Sequence, residues 1–161
     1  MAAGEHPPAW SRLIRRLFTP FLSHEDKKRI ADAIAELENK TTGEVHVHVV
    51  GRAGADPLAL AQKTFHRLGL EKTAHRNGVL ILVSHLDHKF AIYGDEGIHS
   101  KSGQHLWDKA AAALRERFAA RRYPEGIESC VREIGKELAR HFPRNNAGPG
   151  PTHASHGVTE S

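Results

Sequence analysis

The spacing of apolar residues changes along this chain, and each change marks an element. From Trp10 to Phe21, the residues Trp10, Leu13, Ile14, Leu17, Phe18 and Phe21 recur at steps of three and four and form one helical stripe. Pro20 interrupts the stripe, and Ser23 opens a second helix, with Asp26 completing an acidic form of the capping box. Ile30, Ala33, Ile34 and Leu37 make its buried face, and Thr41-Thr42-Gly43 turns the chain after Lys40. From Glu44 to Val50 the pattern alternates. Val45, Val47 and Val49 share one face, and Glu44, His46 and His48 share the other, as in a half-buried strand.

Pro57 suits the first turn of a helix running to about Leu68. A charged loop, Gly69 to Gly78, leads into Val79 to Val83, whose unbroken apolar character predicts a strand covered on both faces. Ser84 to His88 leaves room only for a hairpin, so Lys89 to Tyr93 is expected to return antiparallel. Two closing helices are predicted, Gln104 to Ala120 and Pro124 to Phe142. The resulting division is an amphipathic basic segment over residues 1–22, a domain over 23–143 and a disordered tail rich in Asn, Gly, Pro, Ser and Thr over 144–161.

A helix between the first two strands makes them a crossover pair, expected parallel and right-handed. With the third strand returning, Gly43-Glu44, Asn77-Gly78 and Gly94-Asp95-Glu96 then share one end of the sheet. Asp56, His85 and Asp87 share the other.

Composition narrows the functional classes. The chain has 161 residues, 39% hydrophobic and 26% charged, enough for a core without metal or disulfide. Its longest apolar run is too short to span a bilayer. Glu5, Pro7 and Pro8 interrupt any signal-peptide pattern, and the single cysteine, Cys130, fits a reducing compartment, so the cytoplasm is expected. A net charge of +4 invites a nucleic-acid reading, but 19 acidic residues are interspersed and few aromatics lie beside the basic ones. No nucleic-acid partner is expected.

Thr42-Gly43-Glu44-Val45, Asn77-Gly78 with the apolar run Val79 to Val83, Gly94-Asp95-Glu96-Gly97-Ile98, Trp107, Tyr123-Pro124-Glu125-Gly126-Ile127 and Ile134-Gly135 together resemble the TPM domain family. The resemblance covers about Leu22 to Pro143 and is nearest to its stand-alone cytoplasmic bacterial branch. It implies a three-layer α/β/α sandwich around a small mixed sheet. It also implies a range of roles, since members are described as phosphatases, as calcium or other metal binders, and as modulators of membrane receptors. Fold cannot choose among these. The chain departs from its relatives after Phe142-Pro143, where Arg144-Asn145-Asn146 and a Gly/Pro tail replace an acidic extension.

The strongest candidate site is the acidic sheet edge. Glu44, Asp95 and Glu96 can offer carboxylates, with Asn77 and turn carbonyls completing a hard-cation shell suited to calcium or magnesium. The alternative is structural: Glu44 pairs with an arginine, Asp95-Glu96 solvates a turn, and Gly94 and Gly97 supply unusual backbone angles. A phosphatase needs a nucleophile or metal-bound water and groups for the phosphoryl charge. Asp95 can be cast as nucleophile, but no phosphate-cradling Gly-rich run follows a strand, and no catalytic residue is assigned. His46 and His48 share a strand face at zinc-ligand spacing without a third fixed ligand, so a solvated or hydrogen-bonded face is expected. Trp10, Arg12, Arg15, Arg16 and Phe18 can meet an anionic membrane or an unidentified protein partner, or the stripe can cover the sheet. The favoured reading is a non-catalytic binding or regulatory domain. A metal-assisted phosphatase acting on phosphomonoesters is the alternative.

Overall fold

The structure, a computed structural model, describes residues 21–145 and 157–161. In chain order it contains α1 (His24–Glu38), β1 (Glu44–Val50), α2 (Pro57–Arg67), a short 3-10 turn (Leu70–Lys72), β2 (Gly78–Ser84), β3 (Phe90–Gly94), α3 (Glu96–Ala119), α4 (Tyr123–His141) and β4 (Val158–Glu160). Local chemistry sets the boundaries. Ser23 caps α1 in a reciprocal box with Asp26, at 2.9 and 3.0 Å. Asp56 caps α2, whose first residue is Pro57.

The sheet has the order β3-β2-β1-β4. β1 and β2 run parallel, Glu44 opposite Gly78, and β3 returns antiparallel, Gly94 opposite Val79. All residues of β2 are buried, because helices cover both of its faces. On one side Val45, Val47, Val49, Val79, Ile81 and Val83 pack under α1, α3 and α4. On the other, Leu80, Leu82 and Ala91 meet Phe65 and Ala61 of α2. This is a three-layer α/β/α sandwich around a mixed sheet, as the alternation in β1 and the apolar run in β2 predict.

Two elements differ from the sequence reading. An unpredicted helical segment precedes the helix expected from Gln104: Asp95 caps it at Glu96, and Gly103, at φ 68°, breaks it from the second segment, which starts at Gln104 as the periodicity predicts. The expected disordered tail ends in β4, which pairs parallel with β1, Val158 opposite Val47. Val47 donates to the Gly157 carbonyl at 2.7 Å, Ser161 donates to that of Val49 at 3.0 Å, and Lys27 of α1 meets Glu160 at 2.8 Å. A composition suited to disorder thus precedes a strand that completes an edge. The expected contact residues Trp10, Arg12, Arg15, Arg16 and Phe18 lie outside the described residues. Just after them, Phe21 packs against Phe118 and Tyr123.

Deleting residues 157–161 removes these bonds and reopens the edge of β1, at an expected cost of about 2–4 kcal/mol from a handful of hydrogen bonds and their desolvated partners. Urea denaturation measures that loss. Hydrogen exchange should accelerate at the Val47 amide while the Ile81 amide, inside β2, keeps its protection.

Candidate functional site

Parallel pairing of β1 with β2 and the return of β3 bring Glu44, Asn77 and Asp95 to one end of the sheet, as the topology argument expects. There the chain passes directly from strand to helix. The Asp95 amide donates to the Gly78 carbonyl at 2.9 Å, ending the β2–β3 ladder, and its carboxylate accepts the Glu96 amide at 2.8 Å, starting α3. Neither Gly94 nor Gly97 has a positive φ, so the expectation of unusual backbone angles fails. Close approach accounts for them. A Cβ on Gly97 would lie 2.0 Å from the His75 carbonyl oxygen, and one on Gly94 would lie 2.2 Å from the Trp107 ring.

The residue that organises this end is Arg76, which sequence reasoning missed. Its guanidinium donates to both oxygens of Asp95, Nε to Oδ2 at 2.7 Å and Nη2 to Oδ1 at 2.9 Å, and Nη1 lies 3.5 Å from Glu96. Arg76 itself has φ 50°, uncommon for a side chain of its size, and its carbonyl accepts the Gly97 amide at 2.8 Å. Asp95 is 3% exposed, so its charge is compensated where water scarcely reaches. Arg76 stands just before Asn77-Gly78, at the predicted sheet end, but the sequence pattern alone gives it no partner.

The remaining predicted ligands are held in separate settings. Glu96 projects outward with its side chain 75% exposed. Asn77 is fully buried. Its side-chain amide donates to Thr42 Oγ1 at 3.2 Å, and its Oδ1 has no hydrogen-bond partner among the described residues. Glu44 lies near Glu38, whose carboxyl is pushed up to about 7, first by burial and then by the Glu44 charge. Among the described residues no group of three or more His, Cys, Asp or Glu side chains is placed to hold a metal ion. Arg76 occupies both oxygens of the Asp95 carboxylate, the group that a hard cation would need here.

His46 and His48 do share a face, and it is hydrogen-bonded. Thr159 Oγ1 of β4 lies 2.8 Å from His46 Nε2 and 2.5 Å from His48 Nδ1, and Ser161 Oγ is 3.0 Å from His48 Nε2. Burial, with the His48 charge second, lowers the His46 pKa to about 4; burial and then Arg67 lower that of His48. Cys130 is fully buried and its thiol is pushed up to about 12, mainly by burial, so it offers no thiolate nucleophile.

Beside Asp95, a cavity of about 430 Å³ opens between the helical layers, lined by Leu58, Ile92, Tyr93, His99, Gln104 and Trp107 among others. The Trp107 indole donates to His99 Nδ1 at 2.9 Å, fixing both rings at its wall.

The order of elements, the two covered sheet faces and the strand-to-helix junction at Gly94–Gly97 define an α/β/α domain of the TPM type. The TPM domain family model matches residues 18–137, and the chain belongs to that family. Its structure is similar to the NMR structure of BA42 from the psychrophilic bacterium Bizionia argentinensis. The TM-score is 0.81 and the identity 30%, over 89% of this chain and 98% of that one. It also resembles the N-terminal domain of cg2496 from Corynebacterium glutamicum in fold, with TM-score 0.63 and 15% identity over 86% and 87% of the two chains. No curated protein matches the sequence. Among the described residues no helix is long and apolar enough to cross a membrane.

Asp95→Ala removes a helix cap and strands the desolvated donors facing it, so a loss of about 1–3 kcal/mol is expected on urea denaturation. Glu96→Gln, at an exposed position, should stay within about 0.5 kcal/mol of wild type. The two raised and lowered pKa values oppose each other in pH dependence. His46 moves from 6.5 to about 4, so its contribution to stability is complete above pH 6.5 and is lost as pH falls toward 4. Glu38 moves from 4.5 to about 7, so its contribution is complete below pH 4.5 and is lost as pH rises through 7. Melting curves across this window should therefore tilt in opposite directions in single variants. Stability should fall with rising pH in His46→Asn and rise with pH in Glu38→Gln.

Proposed function

We propose that this TPM domain is a non-catalytic binding or regulatory module for a protein partner. The observation that carries the reading is the engagement of Asp95. Its carboxylate takes two bonds from Arg76 and one from the Glu96 amide, so the buried acid at the sheet edge acts as a structural joint. A carboxylate held in this way is poorly placed to attack phosphorus, and buried Cys130 does not replace it as a nucleophile. Cytoplasmic location belongs to the same reading, supported by a cysteine kept as a buried free thiol.

Divalent-cation binding is the second reading, favoured by the buried Asn77 Oδ1 at the same edge, which has no hydrogen-bond partner among the described residues. In this arrangement calcium or magnesium has to compete with Arg76 for Asp95. Metal-assisted phosphatase activity is the alternative from the catalytic class, and it rests on the family resemblance.

The tests separate these readings. Para-nitrophenyl phosphate, offered with calcium, magnesium, manganese or zinc, is expected to show no turnover above the blank. Activity that survives purification and disappears in Asp95→Asn would overturn the non-catalytic reading. Melting curves in calcium are expected to shift upward more for Arg76→Gln than for wild type, since the substitution vacates the carboxylate. Equal responses would remove the cation from the proposal.

A further inference from the structure

The sheet has two edges, and the chain treats them differently. β4, three residues long, is the terminal strand beside β1, whereas the terminal strand on the opposite side is the five-residue β3; no described segment pairs to its outer edge. The ladder shows which groups that edge presents. The Asp95 amide bonds back to Gly78, and the Lys89 carbonyl accepts from Ser84, so residues 89, 91, 93 and 95 face β2. The backbone N–H and C=O groups of Phe90, Ile92 and Gly94 therefore turn outward. The strand, Phe-Ala-Ile-Tyr-Gly, in which Ala91 is buried and the other residues are half-buried, contains none of the lysines or prolines that commonly protect a bare edge.

The surroundings form a slot. Two cavities of about 300 and 430 Å³ lie along β3, both lined by Leu58 of α2 on one side of the strand and by Gln104 and Trp107 of α3 on the other. Leu58 is 56% exposed, large for a side chain of its kind. The lining charges are acidic: Asp56, Asp108, Asp95 and Glu96 against Arg76, in a chain whose net charge is +4. Two such edges meeting in a symmetric pair would bring like charges together, which disfavours a second copy as occupant.

We infer that the outer edge of β3, within the slot between Leu58 and Trp107, docks an extended basic segment of a protein partner as an added strand. The inference rests on the binding-module reading and names the chemistry of its partner. Backbone bonds to Phe90, Ile92 and Gly94 supply register. Apolar side chains on one face of the added strand meet Ile92 and Trp107, and lysine or arginine side chains reach Asp56, Asp108 and Glu96.

The probe is the capped hexapeptide Lys-Val-Lys-Val-Lys-Val, titrated into the full chain while amide resonances are followed by NMR. Saturable shifts are expected at Phe90, Ile92 and Gly94 and at the Trp107 indole. The Glu-Val counterpart and the fully N-methylated Lys-Val peptide should each bind at least about tenfold more weakly, the first for its charge and the second for its lost donors. An Ile92→Pro variant, which removes one outward N–H without touching the β2 ladder, should weaken the Lys-Val peptide while the far side of the sheet keeps its wild-type resonances. The assignment is overturned by the absence of saturable shifts, by shifts centred away from β3, or by equal binding of all three peptides. It is also overturned if concentrating the protein alone produces the β3 shifts, which would assign the edge to a second copy. Phosphomonoester turnover, by contrast, would sink the binding-module reading on its own evidence, so the two failures are distinguishable.

Discussion

The rest of the molecule depends on the burial of β2. A strand whose residues from Gly78 to Ser84 are all removed from water needs a neighbour on each edge for its backbone and an apolar layer on each face for its side chains. β1 and β3 meet the first need, α2 on one face and α1, α3 and α4 on the other meet the second. The crossover through α2 makes β1 parallel, and the short Ser84–Lys89 connection makes β3 antiparallel. Two strand beginnings and one strand end are thereby gathered at a single end of the sheet.

That gathering creates an electrostatic problem, which Arg76 resolves. Asp95 has to leave β3 and cap α3 in the same step, and Trp107 and the carbonyls of residues 75 and 76 crowd the adjoining backbone. A carboxylate there is shielded from water and is stabilised by a planar, two-pronged cation better than by a mobile point charge. The same interaction decides what the edge can do chemically. Oxygens already bonded to a guanidinium and a helix amide are structural groups, and Glu96, free to reach solvent, contributes charge to the rim of the neighbouring slot.

The two sheet edges express a division of labour. β4 is short, ion-paired through Glu160 to Lys27, and bonded through Thr159 to two histidines that burial keeps neutral. β3 lies between separated helical layers with apolar walls and an acidic lining. The outer edge of β3, unpaired among the described residues, is a surface suited to backbone-directed recognition.

Much of this was legible from periodicity. The alternation in Glu44–Val50, the continuous apolar run before the hairpin and the capping box at Ser23 specify their elements locally, so the three layers and the shared strand ends follow from pattern and chain connectivity. The family resemblance, carried by Thr42-Gly43-Glu44, Gly94 to Ile98 and Trp107, agrees with the match over residues 18–137. Other features were decided by contacts between residues distant in sequence. Nothing local marks Arg76 as the partner of Asp95, because the two are joined only once β2 and β3 pair. Val158–Glu160 follows a stretch of disorder-like composition and becomes a strand because β1 presents an open ladder and buried histidines needing a hydroxyl. Gly94 and Gly97 read as turn residues from sequence. Their actual requirement, the space taken by Trp107 and the His75 carbonyl, exists only when helix and loop are brought against them. Sequence by itself determined the elements and their order, since those rest on short-range periodicity, and tertiary structure decided the chemistry of the edge, since charge pairing and close approach depend on which distant groups the fold makes neighbours.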